Sequence, residues 1–307
     1  MKKIGIVILN YKVFKDTIDC ISSIQAQSYQ NFEIVIVDNA SNNGSFEYLA
    51  DKYKYFSNIH LIKSRDNIGF AQGNNLGIKF LKRKKSIFNI LVINADTILD
   101  DTEYLNKLTS IKYSKKCAMI GSEIIGRDGI NQNPYHPAVD QPKVLRLRQY
   151  TNIKQIFLMS LIPGKIYQKL RKIKRKNNVP IRNNGDYSLR TLDLFDESLM
   201  GAAIYFTEHY LERFIGFFPE TFLYYEEDYL ALICKRLEME QLYVPGLKIQ
   251  HKEESSSSFD LNFSHSKIVK EKRLLVESKK FGKRQKKFNR VQLIDLMKDK
   301  NKKCDTL

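Results

Sequence analysis

The sequence predicts an α/β fold, a mainly parallel central sheet flanked by helices. Three observations predict it. Apolar, β-branched runs alternate with helical patterns through the first 120 residues. The runs are apolar on both sides, as in strands buried between two helix layers. Each run then ends in polar residues, at the sheet edge where such folds bind ligands.

The elements follow in order. Residues 3–10 read as the first strand, 14–28 as a helix and 32–41 as the second strand. A helix over 45–55, a short strand over 59–64, a helix over 70–84 and a strand over 88–94 complete the alternation. Asn10, Asp38, Asn39, Asn94 and Asp96 end three separated strands, and a parallel sheet brings such ends to one edge. Residues 126–190 mix Pro, Asn and basic residues and read as an insertion with a basic, partly amphipathic helix across 153–176. Regular structure resumes over 191–206, and from 265 onward the chain reads as a charged helix or helix pair. The expected organisation is one main domain over 1–264, made of a first half (1–125), the basic insertion (126–190) and a second half (191–264), then a basic helical tail (265–307). Four serines at 255–258 are the only low-complexity stretch.

The chain has 307 residues, 43% of them hydrophobic, enough for a large core. No stretch nears the roughly 18 continuous apolar residues that span a membrane. The basic-then-apolar start reads as a strand, because its apolar run covers only Ile4–Leu9. Cys20, Cys117, Cys234 and Cys304 form no CxxC pair and read as free thiols of a reducing cytosol. The net charge of +17 is uneven. Residues 141–176 hold 11 Lys/Arg and no acid, and residues 265–303 hold 15 Lys/Arg against 4 acids, so removing these two +11 segments leaves −5 for the rest. Two basic segments outside the expected cleft suit an anionic surface. No nucleic-acid motif accompanies them, so nucleic acid is not an expected partner.

Four stretches can carry chemistry. Gly69, Gly73 and Gly77 recur every four residues, on one helix face, for a ligand or for tight packing on the sheet. They match neither GxGxxG nor a P-loop. Asp38 and Asp96 each end a strand. A carboxylate there can bind a nucleoside or a divalent ion, or simply form a turn. Glu226, Glu227 and Asp228 stand at a helix start among Phe222, Tyr224, Tyr225 and Tyr229. A helix N-terminus favours acids, and burial among aromatics raises a carboxyl pKa toward that of a general base. His251 ends a strand, and it gains weight as a ligand only by converging with Asp96.

In order along residues 4–258, the strand ending Asn10-Tyr11, VDNAS (37–41), NIGFAQGNNLGI (67–78), LVINADT (91–97), GAAIYF (201–206), GFFPETFLYYEEDYL (216–230) and YVPGLKIQH (243–251) resemble the family 2 glycosyltransferases of the GT-A fold. The nearest likeness is to the rhamnosyltransferase-like branch of bacterial surface polysaccharide synthesis. The resemblance implies a GT-A type, Rossmann-like fold and an inverting transferase that moves rhamnose or a hexose. The donor would be a dTDP- or UDP-linked sugar and the acceptor a polyprenyl-diphosphate-linked glycan, in capsule, O-antigen or cell-wall synthesis. It implies donor contacts from Leu9, Asn10, Asp38, Asn67, Gly69, Asn74, Asn94, Asp96 and Gly201. Mg2+ or Mn2+ would sit on Asp96 and His251, and Glu227 would be the base, with Glu226 or Asp228 able to share or take the role. Two positions depart from the branch: Glu227 replaces an Asp and Tyr229 replaces a second one. With the basic segments, the resemblance implies a cytoplasmic protein held at the anionic inner face of the cell membrane. A nucleotidyltransferase is the rival enzyme, but it needs a Gly-rich, Arg-containing loop after the first strand, and residues 10–17 contain no glycine. A basic binding protein without catalysis is the non-enzyme rival.

Overall fold

A computed structural model describes residues 2–161, 189–252 and 263–298. The C-terminal part of the expected basic insertion helix, the serine run, Cys304 and the end of the tail lie outside the described residues. Strands β1 (Ile4–Asn10), β2 (Phe32–Asp38), β3 (Ile59–Lys63) and β4 (Ile90–Asn94) pair in parallel in the order β3-β2-β1-β4. Helices α1 (Phe14–Gln25), α2 (Ser45–Tyr53) and α3 (Gly69–Lys85) connect them. Alternate strand residues enter two cores on opposite sheet faces. Val7, Val35, Val37 and Val92 join one, and Ile6, Ile8, Ile34, Ile36 and Ile93 the other. This two-sided burial is why the strands read as continuous apolar runs.

Beyond β4 the sheet is mixed rather than parallel. The remaining strands are β5 (Thr97–Ile98), β6 (Cys117–Ile125), β7 (Arg190–Thr191), β8 (Ala203–Phe206) and β9 (Glu240–His251). β8 lies antiparallel between β4 and β6, β9 runs parallel to β6, and β5 and β7 pair antiparallel with β9. A crossover helix before each strand is needed only for parallel pairing, so the sequence signal fades where pairing reverses. The other helices are α4 (Tyr104–Ser110), α5 (Pro142–Leu161), α6 (Glu208–Leu211), α7 (Glu226–Leu237), α8 (Phe263–Lys287) and α9 (Arg290–Met297).

Two features set up the site. A Cβ on Gly73 would lie 2.5 Å from Leu9 Cδ1, and one on Gly77 2.6 Å from Val7 Cγ1, so these glycines let α3 lie directly on β1. Gly69 differs. Its φ is +84°, a Cβ there would meet the Phe222 carbonyl oxygen at 2.3 Å, and the Phe70 amide donates to that carbonyl at 2.7 Å. The start of α3 therefore anchors the loop that leads into the three acids. The C-terminal helices also close on the body. Phe281 of α8 and Leu293 and Met297 of α9 are fully buried. Tyr229 stacks on Phe218 (4.2 Å) and meets the Phe281 ring edge-on (5.0 Å).

Candidate active site

The expected donor-binding residues separate into two groups. Asn10 and Asp38 form a closed cluster at the ends of β1 and β2. The buried Asp38 carboxylate accepts from Asn10 Nδ2 (2.6 Å), the Ser41 amide (3.0 Å) and hydroxyl (2.7 Å), and the Ser45 hydroxyl (2.8 Å). Asn10 Oδ1 accepts from Thr17. These side chains hold the 38–45 loop in shape, the turn alternative at Asp38. Asn39 joins that loop to the next. It receives the Ile68 amide (3.0 Å) and donates to Asn67 Oδ1 (3.0 Å) and the Gly69 carbonyl (3.1 Å). Asn74 is buried and donates to the Phe70 carbonyl, and its Oδ1 has no partner.

The second group surrounds a cavity of about 740 Å³. Asn94 at the end of β4, Gly201 before β8, and Glu226 and Glu227 at the start of α7 line it. Tyr135 and Arg148 share the wall, and Leu274 of α8 closes it. Leu9 lies beside Asn94 in the β1–β4 register. Near this edge, Asp96 and His251 come together as expected: Nε2 of His251 is 3.4 Å from Asp96 Oδ1.

Divalent-ion binding can be tested on the donors present. Asp96 is 2% exposed, and its Oδ2 is buried with no partner. His251 Nδ1 contacts Gln132 Oε1 at 2.9 Å, and donation of the Nδ1 proton there leaves Nε2 as a free acceptor facing Asp96. A carboxylate oxygen and an imidazole nitrogen suit Mg2+ or Mn2+. Among the described residues no group of three His, Cys, Asp or Glu side chains gathers around a metal position, so the other ligands would come from water and the substrate's phosphates.

The three adjacent acids have three environments. They begin α7 behind two consecutive left-handed residues, Tyr224 (φ 79°) and Tyr225 (φ 73°). Such conformations cost about 1–3 kcal/mol each and persist where packing imposes them. Here the buried Tyr225 ring rests on Phe281. Asp228 is fully buried and saturated. It accepts from Arg148 Nη1 (3.0 and 3.2 Å), the Ala138 amide (2.6 Å) and the Tyr135 hydroxyl (3.0 Å). Burial pushes its carboxyl up, while Arg148, the Ala138 amide and the Tyr135 hydroxyl pull it back. Glu227 reaches the cavity wall, where its Oε1 accepts the Gly201 amide at 3.1 Å. A Cβ at position 201 would lie 2.8 Å from that oxygen, so glycine makes the approach possible. Burial raises the Glu227 pKa, and the negative Asp228 adds to this against its own backbone and the Gly201 amide. Glu226 is buried with an unpartnered Oε1, and burial followed by repulsion from Glu227 raises its pKa to about 8.

Two findings depart from the sequence expectations. The described parts of the basic segments do not lie outside the cleft. α5 brings Leu147, Arg148, Thr151 and Asn152 to the cavity, and α8 brings Lys270 and Leu274. Arg148 was also missed as a site residue. Its signal is the helical spacing of Leu145, Arg148, Asn152 and Met159, which places a cation on the buried stripe of α5.

The fold has solved counterparts. TarS residues 1–349 of S. aureus, in complex with UDP-GlcNAc, superposes with a TM-score of 0.53 at 13% identity, over 94% of this chain and 74% of that one. GalNAc-T7 with UDP, GalNAc and Mn2+ gives 0.56 at 11% identity, over 96% of this chain and 56% of that one. In sequence, the chain is 26% identical over 225 residues to the low-salt glycan biosynthesis hexosyltransferase Agl10 of Haloferax volcanii. That match covers 73% of this chain and 59% of the relative, so the chain spans about three fifths of the relative's length. The profile of glycosyl transferase family 2 matches residues 5–183, more than half of the chain, and with the GT-A arrangement of sheet and cavity this establishes that the chain belongs to that family.

Proposed function

We propose that the chain is an inverting glycosyltransferase that moves a sugar, rhamnose or another hexose, from a dTDP- or UDP-linked donor to a hydroxyl of a lipid-linked glycan in surface polysaccharide synthesis. The observation that carries this reading is a single cavity with a Gly201-held glutamate on one wall and the end of β4, beside the Asp96–His251 pair, on another. Similarity to TarS and GalNAc-T7, crystallised with UDP-GlcNAc and with UDP, supports a uridine donor. The order of motifs supports the rhamnosyltransferase-like branch. The 38–45 and 67–69 loops, held by Asp38 and Asn39, form the nucleoside side of the site.

In this mechanism Glu227 takes the acceptor proton. The acceptor oxygen forms its bond to the anomeric carbon from the face opposite the nucleoside diphosphate, which leaves with the electron pair of the broken bond. A positioned carboxylate base contributes about 10²–10⁴-fold. The Gly201 amide fixes one carboxylate oxygen, and the saturated Asp228 stays out of the proton transfer. Asp96 and His251 would hold Mg2+ or Mn2+, which supplies positive charge to the departing diphosphate.

Two results are expected. Sugar nucleotides with Mn2+ raise the melting temperature of the wild type, by ligand linkage, and Asp96→Ala removes the metal-dependent part. Metal-dependent stabilisation that survives Asp96→Ala takes Asp96 out of the site. The pH profile of kcat/KM has its acidic limb above the ordinary glutamate range, because burial and then the negative Asp228 raise Glu227. Activity rises with pH along that limb as Glu227 ionises. A limb at the pH of an exposed carboxylate excludes Glu227 as the base.

A further inference from the structure

We propose that the outward face of α5 seats the protein on an anionic lipid bilayer and that the candidate active site opens at the edge of that seat. α5 has two faces. Leu145, Asn152 and Met159 are buried, and Arg148 on the same side reaches the catalytic acids. On the other side Leu147 (64% exposed), Tyr150 (63%), Ile153 (51%), Phe157 (62%) and Leu161 (65%) stand in solvent. At about 100° per residue these five fall within an arc of about 120°. Lys143, Arg146 and Lys154 are exposed and fall within the same arc. The helix contains no acidic residue, and at 1.5 Å per residue it is about 30 Å long.

This chemistry selects one occupant. A strip of large apolar side chains interleaved with cations fits the boundary between acyl chains and anionic headgroups. Nucleic acid would engage the three cations and leave five apolar groups unused. A second copy packed by two-fold symmetry would face its own cations with the same cations. Leu147 and Thr151 belong both to α5 and to the cavity wall, so the strip runs into the cavity without a break. An acceptor whose lipid remains in the bilayer can therefore present its glycan at Glu227 without leaving the membrane. This orientation rests on the cavity being the transfer site, whereas the seating itself does not.

The test is co-sedimentation of the full chain with phosphatidylcholine vesicles, with and without phosphatidylglycerol, for the wild type, Ile153→Asp/Phe157→Asp and Lys143→Glu/Arg146→Glu/Lys154→Glu. The three cations predict a preference for anionic vesicles of about 100-fold that weakens with salt. Charge reversal removes the preference, the aspartate pair lowers binding to both vesicles, and surface substitutions of this kind leave the melting temperature within a few degrees of wild type. Equal binding to both vesicles by the wild type, or unchanged binding by the aspartate pair, overturns the proposal. So does a wild-type dimer that the aspartate pair converts to monomer with vesicle binding intact. Thermal shifts with sugar nucleotides and Mn2+ on the same preparations separate the two readings. Donor binding without vesicle preference defeats the seating alone, and vesicle preference without donor binding defeats the transfer reading alone.

Discussion

Glu227→Gln is expected to reduce kcat by about 10²–10⁴-fold, the contribution of a positioned general base. Glutamine keeps the shape of the side chain, and its amide oxygen can still accept the Gly201 amide that now lies 3.1 Å from Oε1. Fold and donor binding are therefore preserved, and the loss appears in turnover rather than in KM for the donor. Asp228→Asn serves as the contrast. Every interaction of Asp228 is internal, so its loss lowers stability before it alters chemistry. Steady-state kinetics with donor-binding measurements on both variants separates these outcomes. Turnover retained in Glu227→Gln transfers the base role to Glu226, whose Oε1 is the unpartnered alternative.

The second large effect is on stability. Arg148→Met leaves the Asp228 carboxylate fully buried without its cation, and removing one partner of such a pair costs about 3–5 kcal/mol. Arg148 is itself partly exposed, which places the expected loss near the lower end, about 3 kcal/mol. The change also releases α5 from α7, because the same guanidinium lies over the Tyr135 and Tyr225 rings (5.2 and 5.8 Å) and donates to the His136 carbonyl. Urea denaturation measures the effect. A midpoint within about 0.5 kcal/mol of wild type, the range of ordinary surface substitutions, shows that the pair does not hold the wall of the cavity.

The departure at Tyr229 also has a physical account. Where the resemblance expects a second acid, Tyr229 is fully buried between Phe218 and Phe281 and receives Arg284 Nη1 on its hydroxyl at 3.2 Å. The position joins α7 to the C-terminal helices. The replacement thus matches an aromatic site built by nearby Phe218 and by Phe281 from the C-terminal helices.

Some of the site was legible because its signals are local. An apolar run such as Ile90–Ile93 followed by Asn94 and Asp96 states both that the strand is buried and where it ends, and parallel pairing carries such ends to one edge. The pairing of His251 with Asp96, by contrast, was implied only by the resemblance, and the structure brings Nε2 to 3.4 Å from Oδ1. The alternation of helices and strands follows from side-chain periodicity, which each segment carries in itself. Pairing does not. Asp38 read equally as a ligand contact or a turn residue, and its bonds from Asn10, Ser41 and Ser45 could not be foreseen. Among the three adjacent acids the resemblance favoured Glu227 and left Glu226 and Asp228 as alternatives. Arg148, eighty residues away, saturates Asp228, and Gly201 positions Glu227. The sequence by itself determined the fold class, the sheet edge and the set of candidate acids. Only the tertiary structure decided that Asp228 is withdrawn from the cavity while Glu226 and Glu227 line it, and that the basic helices form its walls, because charge neutralisation and burial depend on neighbours that the chain supplies from distant positions.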